Sequence, residues 1–228
     1  MSRDVETVVV ENSPTREGAA IVEREFNNVR LIENGRNAGF AGGHNLAYAT
    51  TDSPYFCVLN PDVIPLAGSV ERLIMTLEER PNAAIVGPCL LNTDGSVQHS
   101  ARRFFDWPTV LARRLPVRNA ARLNERHLLK DCDLSYTQRV DWVLGAALLV
   151  RRAAFPDSAL FDQRYHLYFE DVDLCYFAHQ RGWEVVYCPD SRMIHDHQRE
   201  SARGLNRKLV IHLMSWLKFT RKRKLYWS

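Results

Sequence analysis

Three carboxylates, Glu170, Asp171 and Asp173, fall within four residues and directly follow the aromatic run Tyr165, Tyr168 and Phe169. Gathering charges behind aromatic side chains is costly unless something cationic or reactive meets them. One such carboxylate within hydrogen-bonding reach of a hydroxyl serves as a general base. Acids at a helix start also complement the helix dipole, worth about 0.3–1 kcal/mol, so the cluster by itself supports either role. Asp62 closes the run Leu59-Asn60-Pro61-Asp62. A carboxylate at a strand end can hold a hard divalent cation that also bridges two phosphate oxygens, although Asn-Pro-Asp is equally ordinary turn chemistry. His195 and His197 flank Asp196; histidine is the commonest nitrogen ligand for metals, but two exposed loop histidines are more often solvated than ligated. The glycines of Asn37-Ala38-Gly39-Phe40-Ala41-Gly42-Gly43 would let backbone approach a diphosphate at a helix N-terminus. They match neither the phosphate-loop nor the dinucleotide-binding fingerprint.

The elements that must position these residues alternate in type. Thr7 to Val10 is a β-branched run that stops at Glu11-Asn12-Ser13-Pro14, and Val29 to Ile32 leads into the glycine segment, with Asn45 to Thr50 reading as helix. Tyr55 to Leu59 is a third strand. Val70, Leu73, Ile74 and Leu77 mark one face of a helix over Ser69 to Arg80, which Pro81 ends, before a strand from Ala83 to Gly87. Val140 to Val150 is an apolar strand interrupted by Gly145, the carboxylate cluster opens a helix that ends near Gly182, and Glu184 to Cys188 is a last strand leading to His195. This alternation predicts an α/β fold with a mostly parallel sheet and Glu11, Asn37 and Asp62 converging beyond its strand ends. Between Ser96 and Val140 seven arginines, from Arg102 to Arg126, interleave with Phe104, Trp107 and Leu111; this stretch reads as helical excursions and a mobile loop.

With 228 residues, 46% apolar, the chain is long enough to bury one sizeable core. Five cysteines without C-x-x-C spacing suggest neither a disulfide framework nor a zinc site and fit a reducing cytoplasm. No apolar run approaches the roughly 18 residues of a membrane span. Net charge is +3, yet eight Lys or Arg stand against Glu200 alone from Glu200 to Ser228, so the rest is net acidic. Without a helix-turn-helix, zinc or RNP signature, nucleic acid is not an expected partner. Leu209, Leu213, Trp216 and Leu217 share a helical face in that basic tail, which suits either an anionic membrane surface or docking on the protein body.

Taken in order, Val8 to Ser13, Asn37 to Asn45, Leu59 to Asp62, Trp142 to Ala146, Phe169 to Leu174 and Ile194-His195 resemble the family 2 glycosyltransferases. Within them the resemblance is to the rhamnosyltransferase-like branch of bacterial cell-surface polysaccharide synthesis. It implies a single nucleotide-sugar-binding domain of the glycosyltransferase A type over residues 1–200, with a Rossmann-like sheet, and a C-terminal amphipathic helix over 201–228. It implies an inverting transfer, best matched by rhamnose from dTDP-rhamnose, to a saccharide or lipid-linked acceptor. Asp171 takes the catalytic-base position beside Glu170; Asp62 and His195 match the site of a divalent metal, Mg2+ or Mn2+. Glu11, Asn37, Gly39, Phe40, Asn45 and Asn60 fall on the donor side, and Trp142, Gly145 and Asp173 on the acceptor side. Asn60 stands where many members carry a first acid, and Glu11 where an Asp usually reads the pyrimidine. The resemblance places the protein in the cytoplasm or peripherally on the inner face of the membrane. Relatives carry a strand and helix ahead of Val8 to Val10, so this chain is expected to be N-terminally incomplete and a weak enzyme as written. The alternative is a nucleotide-sugar-binding module that has lost turnover.

Overall fold

A computed structural model describes residues 5–104, 120–165, 168–196 and 214–222. The chain divides into two compact units, one made of Met1–Ser53, Asp157–Glu170 and Gly204–Ser228, the other of Pro54–Pro156 and Asp171–Arg203.

The first unit opens with β1 (Thr7–Glu11), α1 (Glu17–Glu25), β2 (Val29–Glu33) and α2 (Gly39–Ala49). β1 and β2 pair in parallel from Thr7 opposite Val29 to Glu11 opposite Glu33, and α1 is the crossover that parallel pairing requires. The sequence signals miss α1, because only Ala19 of its face is buried. α2 begins at Gly39, earlier than its apolar pattern suggests, and buries Ala41, Gly42, Gly43, Ala47 and Tyr48. Gly39 sits at φ 72°, a left-handed conformation that favours glycine. The tail contributes α6 (residues 214–222). It buries Trp216 and Phe219 and leaves Leu217 45% exposed, so the buried face is the i, i+3 pair rather than the expected Trp216 with Leu217. Phe219 packs against Phe169, ring centroids 5.6 Å apart, and Lys222 Nζ lies 2.9 Å from Asp162. Leu209 and Leu213 lie outside the described residues.

The second unit is built on a seven-stranded sheet. Along the chain it contributes β3 (Tyr55–Leu59), β4 (Val63–Pro65), α3 (Ser69–Glu79), β5 (Ala83–Leu91), β6 (Val97–Gln98), β7 (Ala101–Arg102) and α4 (Ala120–His127). Then follow β8 (Gln138–Arg139), β9 (Trp142–Val143), β10 (Ala147–Arg151), α5 (Glu170–Gln180) and β11 (Glu184–His195). The sheet runs β3-β10-β5-β11-β4, with β6 on β5 and β8 on β11, while β7 and β9 form a separate pair. The ladders are mixed: β5 and β11 are parallel, whereas β10 runs antiparallel to both β3 and β5 and β4 antiparallel to β11. The expected α/β class holds, and the departure from a mostly parallel sheet centres on β10. β10 is separated from β5 by a long connection that includes β6 to β9 and α4, and its pairing with Cys57 and Val86 fixes it antiparallel to both neighbours.

β5 is buried along its whole length, the signature of a strand covered on both faces. α3 lays Leu73, Ile74 and Leu77 against Val86, Leu90, Val186 and Met193. Each of these fully buried side chains contributes about 1.5–3 kcal/mol relative to exposure. Gly87 is required by close approach, since a Cβ there would lie 2.7 Å from that of Val143. The expected strand over Val140 to Val150 breaks into β9 and β10 around Gly145, and β11 continues past Cys188 through a register shift before Arg192. That continuation carries His195 to the end of the sheet.

Candidate active site

In the second unit, Asn60, Pro61, Asp62 and Val63 form a tight turn closed by Val63 N–H donating to the Asn60 carbonyl at 3.1 Å. Proline in second place presets such turns. β4 then pairs with β11 so that Val63 faces His195, and the Asp196 N–H donates to the Asp62 carbonyl at 2.9 Å. This register brings His195 Nε2 to 3.6 Å from Asp62 Oδ2, the histidine side chain 7% exposed and the carboxylate 43%. The other ring nitrogen, Nδ1, is 2.8 Å from Gln98 Oε1.

The same turn is tied to the carboxylate cluster. Asn60 N–H donates to the Ala146 carbonyl at 2.8 Å, and the neighbouring Gly145 N–H donates to Asp171 Oδ2 at 2.9 Å. Asp171 Oδ1 accepts from Val172 N–H at 2.9 Å. Burial raises the Asp171 carboxyl above its ordinary range, opposed by those two backbone donors and by the charge of Arg102. Gly145 therefore orients the Asp171 carboxylate through its N–H. Trp142 is buried, donates from Nε1 to the Arg103 carbonyl at 2.9 Å, and has Arg102 stacked over its ring at 5.2 Å. Asp173 is buried on α5, and Glu170, the first residue of that helix, is buried as well. Just ahead of it, Tyr168 and Phe169 hold left-handed φ values of 68° and 74°. Consecutive non-glycine residues there store strain of about 1–3 kcal/mol each, and such strain gathers at functional sites.

In the first unit the candidate donor-side groups are engaged with backbone. Glu11 accepts from Ser13 N–H at 3.0 Å and from Ala19 N–H at 2.8 Å, which anchors the start of α1. Asn37 Oδ1 accepts from Gly39 N–H at 2.9 Å. Asn45 is buried; its Oδ1 accepts from Leu160 and Phe161 N–H at 2.9 and 2.8 Å, and its Nδ2 donates to the Phe161 carbonyl at 2.8 Å. It thus clamps the segment that carries Phe161, whose ring packs edge-on to Phe40 at 5.1 Å. Burial lowers His44, beside Phe40, to about 4, so its ring is neutral at physiological pH. Three residues missed by sequence reasoning emerge. Asn12 holds the glycine segment through Gly39, Asn34 and Ala38; Arg102 acts on Asp171 through its charge; Gln98 holds His195. Asn12 was visible as part of a motif, whereas nothing in spacing or composition marks the other two.

An open cavity of about 630 Å3 in the second unit is lined by residues including His99, Lys130, Tyr187 and Arg192. Asp62, Asp171 and His195 do not line it, so the candidate chemistry rests on strand and helix ends rather than in that hollow. His197 lies outside the described residues. Among the described residues, no group of three His, Cys, Asp or Glu is placed to hold a metal. The Asp62 and His195 pair still fits a cation completed by ligand oxygens. Two donors about 2.1 Å from one ion lie at most about 4.2 Å apart, and divalent ions of this kind often take one or two protein ligands plus phosphates.

The sequence pattern described as Glycosyl transferase family 2 matches residues 2–141. The chain belongs to this family. This family 2 glycosyltransferase is 30% identical to an N-acetylglucosaminyl-diphospho-decaprenol L-rhamnosyltransferase of Mycobacterium tuberculosis over 99% of its own length and 77% of that protein's. It is 28% identical to the rhamnosyltransferase WbbL of Escherichia coli over 82% of the chain and 72% of that protein. Among solved structures it shares the fold of GalNAc-T7, crystallised with UDP, GalNAc and Mn2+, at TM-score 0.64 and 16% identity, covering 93% of this chain and 40% of that one. The nucleotide-sugar-binding α/β fold expected of a family 2 glycosyltransferase is therefore present. Among the described residues, no helix is long and apolar enough to cross a membrane.

Proposed function

We propose that this glycosyltransferase moves rhamnose from dTDP-rhamnose onto a lipid-linked saccharide with inversion at the anomeric carbon. The observation that carries the reading is the linkage of Asp171, through Gly145 and Ala146, to the turn that presents Asp62 opposite His195. The named relatives, a diphospho-decaprenol rhamnosyltransferase and WbbL, supply the donor and acceptor classes.

Asp171, its carboxyl raised by burial, takes the proton of the acceptor hydroxyl as that oxygen bonds to the anomeric carbon and the bond to the diphosphate breaks, leaving dTDP. A raised carboxyl is a stronger base than an ordinary aspartate, and the Gly145 and Val172 N–H groups fix its orientation. Asp62 and His195 would hold Mg2+ or Mn2+, which when bound neutralises charge on the departing diphosphate. Glu11, Asn37, Gly39 and Phe40 would meet the donor, with Asn45 and Asn12 fixing the backbone around them. An acceptor carried on a lipid puts the reaction at a membrane surface, and exposed Met214, Leu217 and Arg221 on α6 are compatible with contact there.

The deciding experiment incubates the protein with dTDP-rhamnose, Mg2+ or Mn2+ and a synthetic polyprenyl diphosphate N-acetylglucosamine, and reads the product by mass spectrometry and its anomeric configuration by NMR. A rhamnosylated product of inverted configuration is expected. Donor binding without product would favour a binding module, and transfer from another nucleotide sugar would reassign the donor.

A further inference from the structure

A neutral imidazole binds a metal through whichever nitrogen carries the lone pair, and the other nitrogen's hydrogen bond decides which that is. In this protein that partner is Gln98, at the end of the short strand β6 that folds back on β5 with Gln98 opposite Leu90. Its amide orientation is determined. Nε2 lies 2.8 Å from the backbone carbonyl of His195 and 2.8 Å from Asn92 Oδ1. A carbonyl oxygen only accepts, so the group facing it is the NH2, and both of its hydrogens are used. Gln98 Oε1 is then the atom 2.8 Å from His195 Nδ1, and an oxygen there requires Nδ1 to carry the proton.

The orientation is reinforced along the hairpin. Asn92 Nδ2 donates to Ser96 Oγ at 2.7 Å, which directs Asn92 Oδ1 toward Gln98. Ser96 Oγ in turn donates to Asp94 Oδ1 at 2.6 Å, and Ser96 N–H donates to the same oxygen at 2.9 Å. Gly95, at φ 80°, makes the tight turn that brings Asp94 and Ser96 together. The direction of each bond follows from a group that can only accept: the Asp94 carboxylate at one end and the His195 carbonyl at the other.

Resting on the reading of Asp62 and His195 as metal ligands, we propose that Gln98 is a positioning residue that locks His195 in the Nδ1–H tautomer. The Nε2 lone pair is thereby presented to a divalent cation beside Asp62. The hairpin of β5 and β6 is the device that sets this tautomer, and its substitution acts on metal affinity before it acts on chemistry. Outer partners of this kind typically change metal affinity by about 10- to 100-fold.

The test has two readouts on the full chain. Long-range proton–nitrogen NMR of 15N-histidine-labelled protein at a pH where the ring is neutral is expected to show His195 protonated at Nδ1. In Gln98→Leu the tautomer shifts toward Nε2–H, and Mn2+ affinity in the presence of dTDP, followed by electron paramagnetic resonance of free Mn2+, falls about tenfold or more. Gln98→Glu retains an acceptor for Nδ1–H and keeps the tautomer, but it loses the two hydrogen bonds donated to the His195 carbonyl and Asn92 Oδ1, so its affinity is expected to fall less than that of Gln98→Leu rather than match the parent. An Nε2–H tautomer in the parent, or a folded Gln98→Leu with unchanged tautomer and affinity, overturns the proposal; if that variant does not fold, the parent spectrum alone decides. His195→Ala separates the two ideas. Unchanged Mn2+ affinity there removes the histidine from the metal site whatever the tautomer, whereas a loss in His195→Ala without one in Gln98→Leu sinks only the role of Gln98.

Discussion

The two units hold their candidate site residues by opposite means. In the first, Glu11, Asn12, Asn37 and Asn45 spend their polar atoms on backbone N–H and C=O groups, so the surface proposed for the donor is shaped by side chains that order loops. In the second, backbone does the ordering: the β4–β11 register sets Asp62 against His195, and two backbone N–H groups orient Asp171. Side chains that act as scaffolding are coupled to stability, whereas side chains that are themselves scaffolded are free to act on a ligand. Substitution should therefore cost folding in the first unit and activity in the second.

Asp171→Asn tests the contrast most sharply. The amide keeps the shape but takes no proton, so turnover is expected to fall about 10^3-fold while the melting temperature and dTDP affinity stay near the parent's. Turnover within a few-fold would assign the base elsewhere. Because burial raises this carboxyl, the acid limb of kcat/KM should lie above the ordinary aspartate value of about 3.9, activity falling as pH drops through it. The sign for stability is opposite: a raised carboxyl favours the folded state when protonated, and that contribution fades as pH rises past its folded value.

Next in size is Asn45→Ala, which strands two N–H groups and a carbonyl in a buried setting and is expected to cost about 2–4 kcal/mol in urea unfolding. Retained stability with lost donor affinity would instead place Asn45 on the ligand and dissolve the contrast. Asp62→Ala should weaken Mn2+-dependent dTDP binding about 50-fold, roughly 2.3 kcal/mol, with little change in melting temperature. Donor affinity indifferent to this change and to chelator would remove the metal role. The smallest effect is expected at the tail. Arg164 and Lys222 hold the Asp162 carboxyl well below the usual carboxylate range, and this partly exposed group is screened, so Asp162→Asn should lower the melting temperature by about 1–2 °C. A depressed carboxyl contributes above its unfolded value and loses that contribution as pH falls toward its folded value, so the difference between variant and parent should start to shrink below about pH 4 and narrow further with each step of acidification.

The sequence made much of this architecture legible and left specific parts hidden. The stripe Val70, Leu73, Ile74 and Leu77 located α3 almost to the residue, because its period and the following proline are local signals. The insertion of β10 between β3 and β5 was not legible, since strand direction depends on where a long connection returns. Asp62, Asp171 and His195 stood out by residue type and by resemblance, but the reasons they lie as they do are non-local. Gln98 acts on a residue far along the chain through a two-residue strand, and Asn45 clamps a segment equally distant in sequence. Both are ordinary amides until the chain is folded. The basic tail promised an apolar face including Leu217, and the structure turns Phe219 inward instead, where Phe169 supplies a ring to meet it.

The turn from Asn60 to Val63 has a further consequence for how such a site tolerates insertion and deletion. Its closing hydrogen bond, its tie to Ala146 and the pairing of Val63 with His195 run through backbone groups and so depend on the number of residues between β3 and β4, with Pro61 favouring the turn. Asn60 enters this frame through its backbone N–H and carbonyl. One residue inserted or deleted there would slip the pairing and turn the strand's side chains to the opposite face, parting Asp62 from His195 at a stroke. The meeting of Asp62 with His195 is thus a matter of spacing in this turn, which makes the count of its residues part of the site.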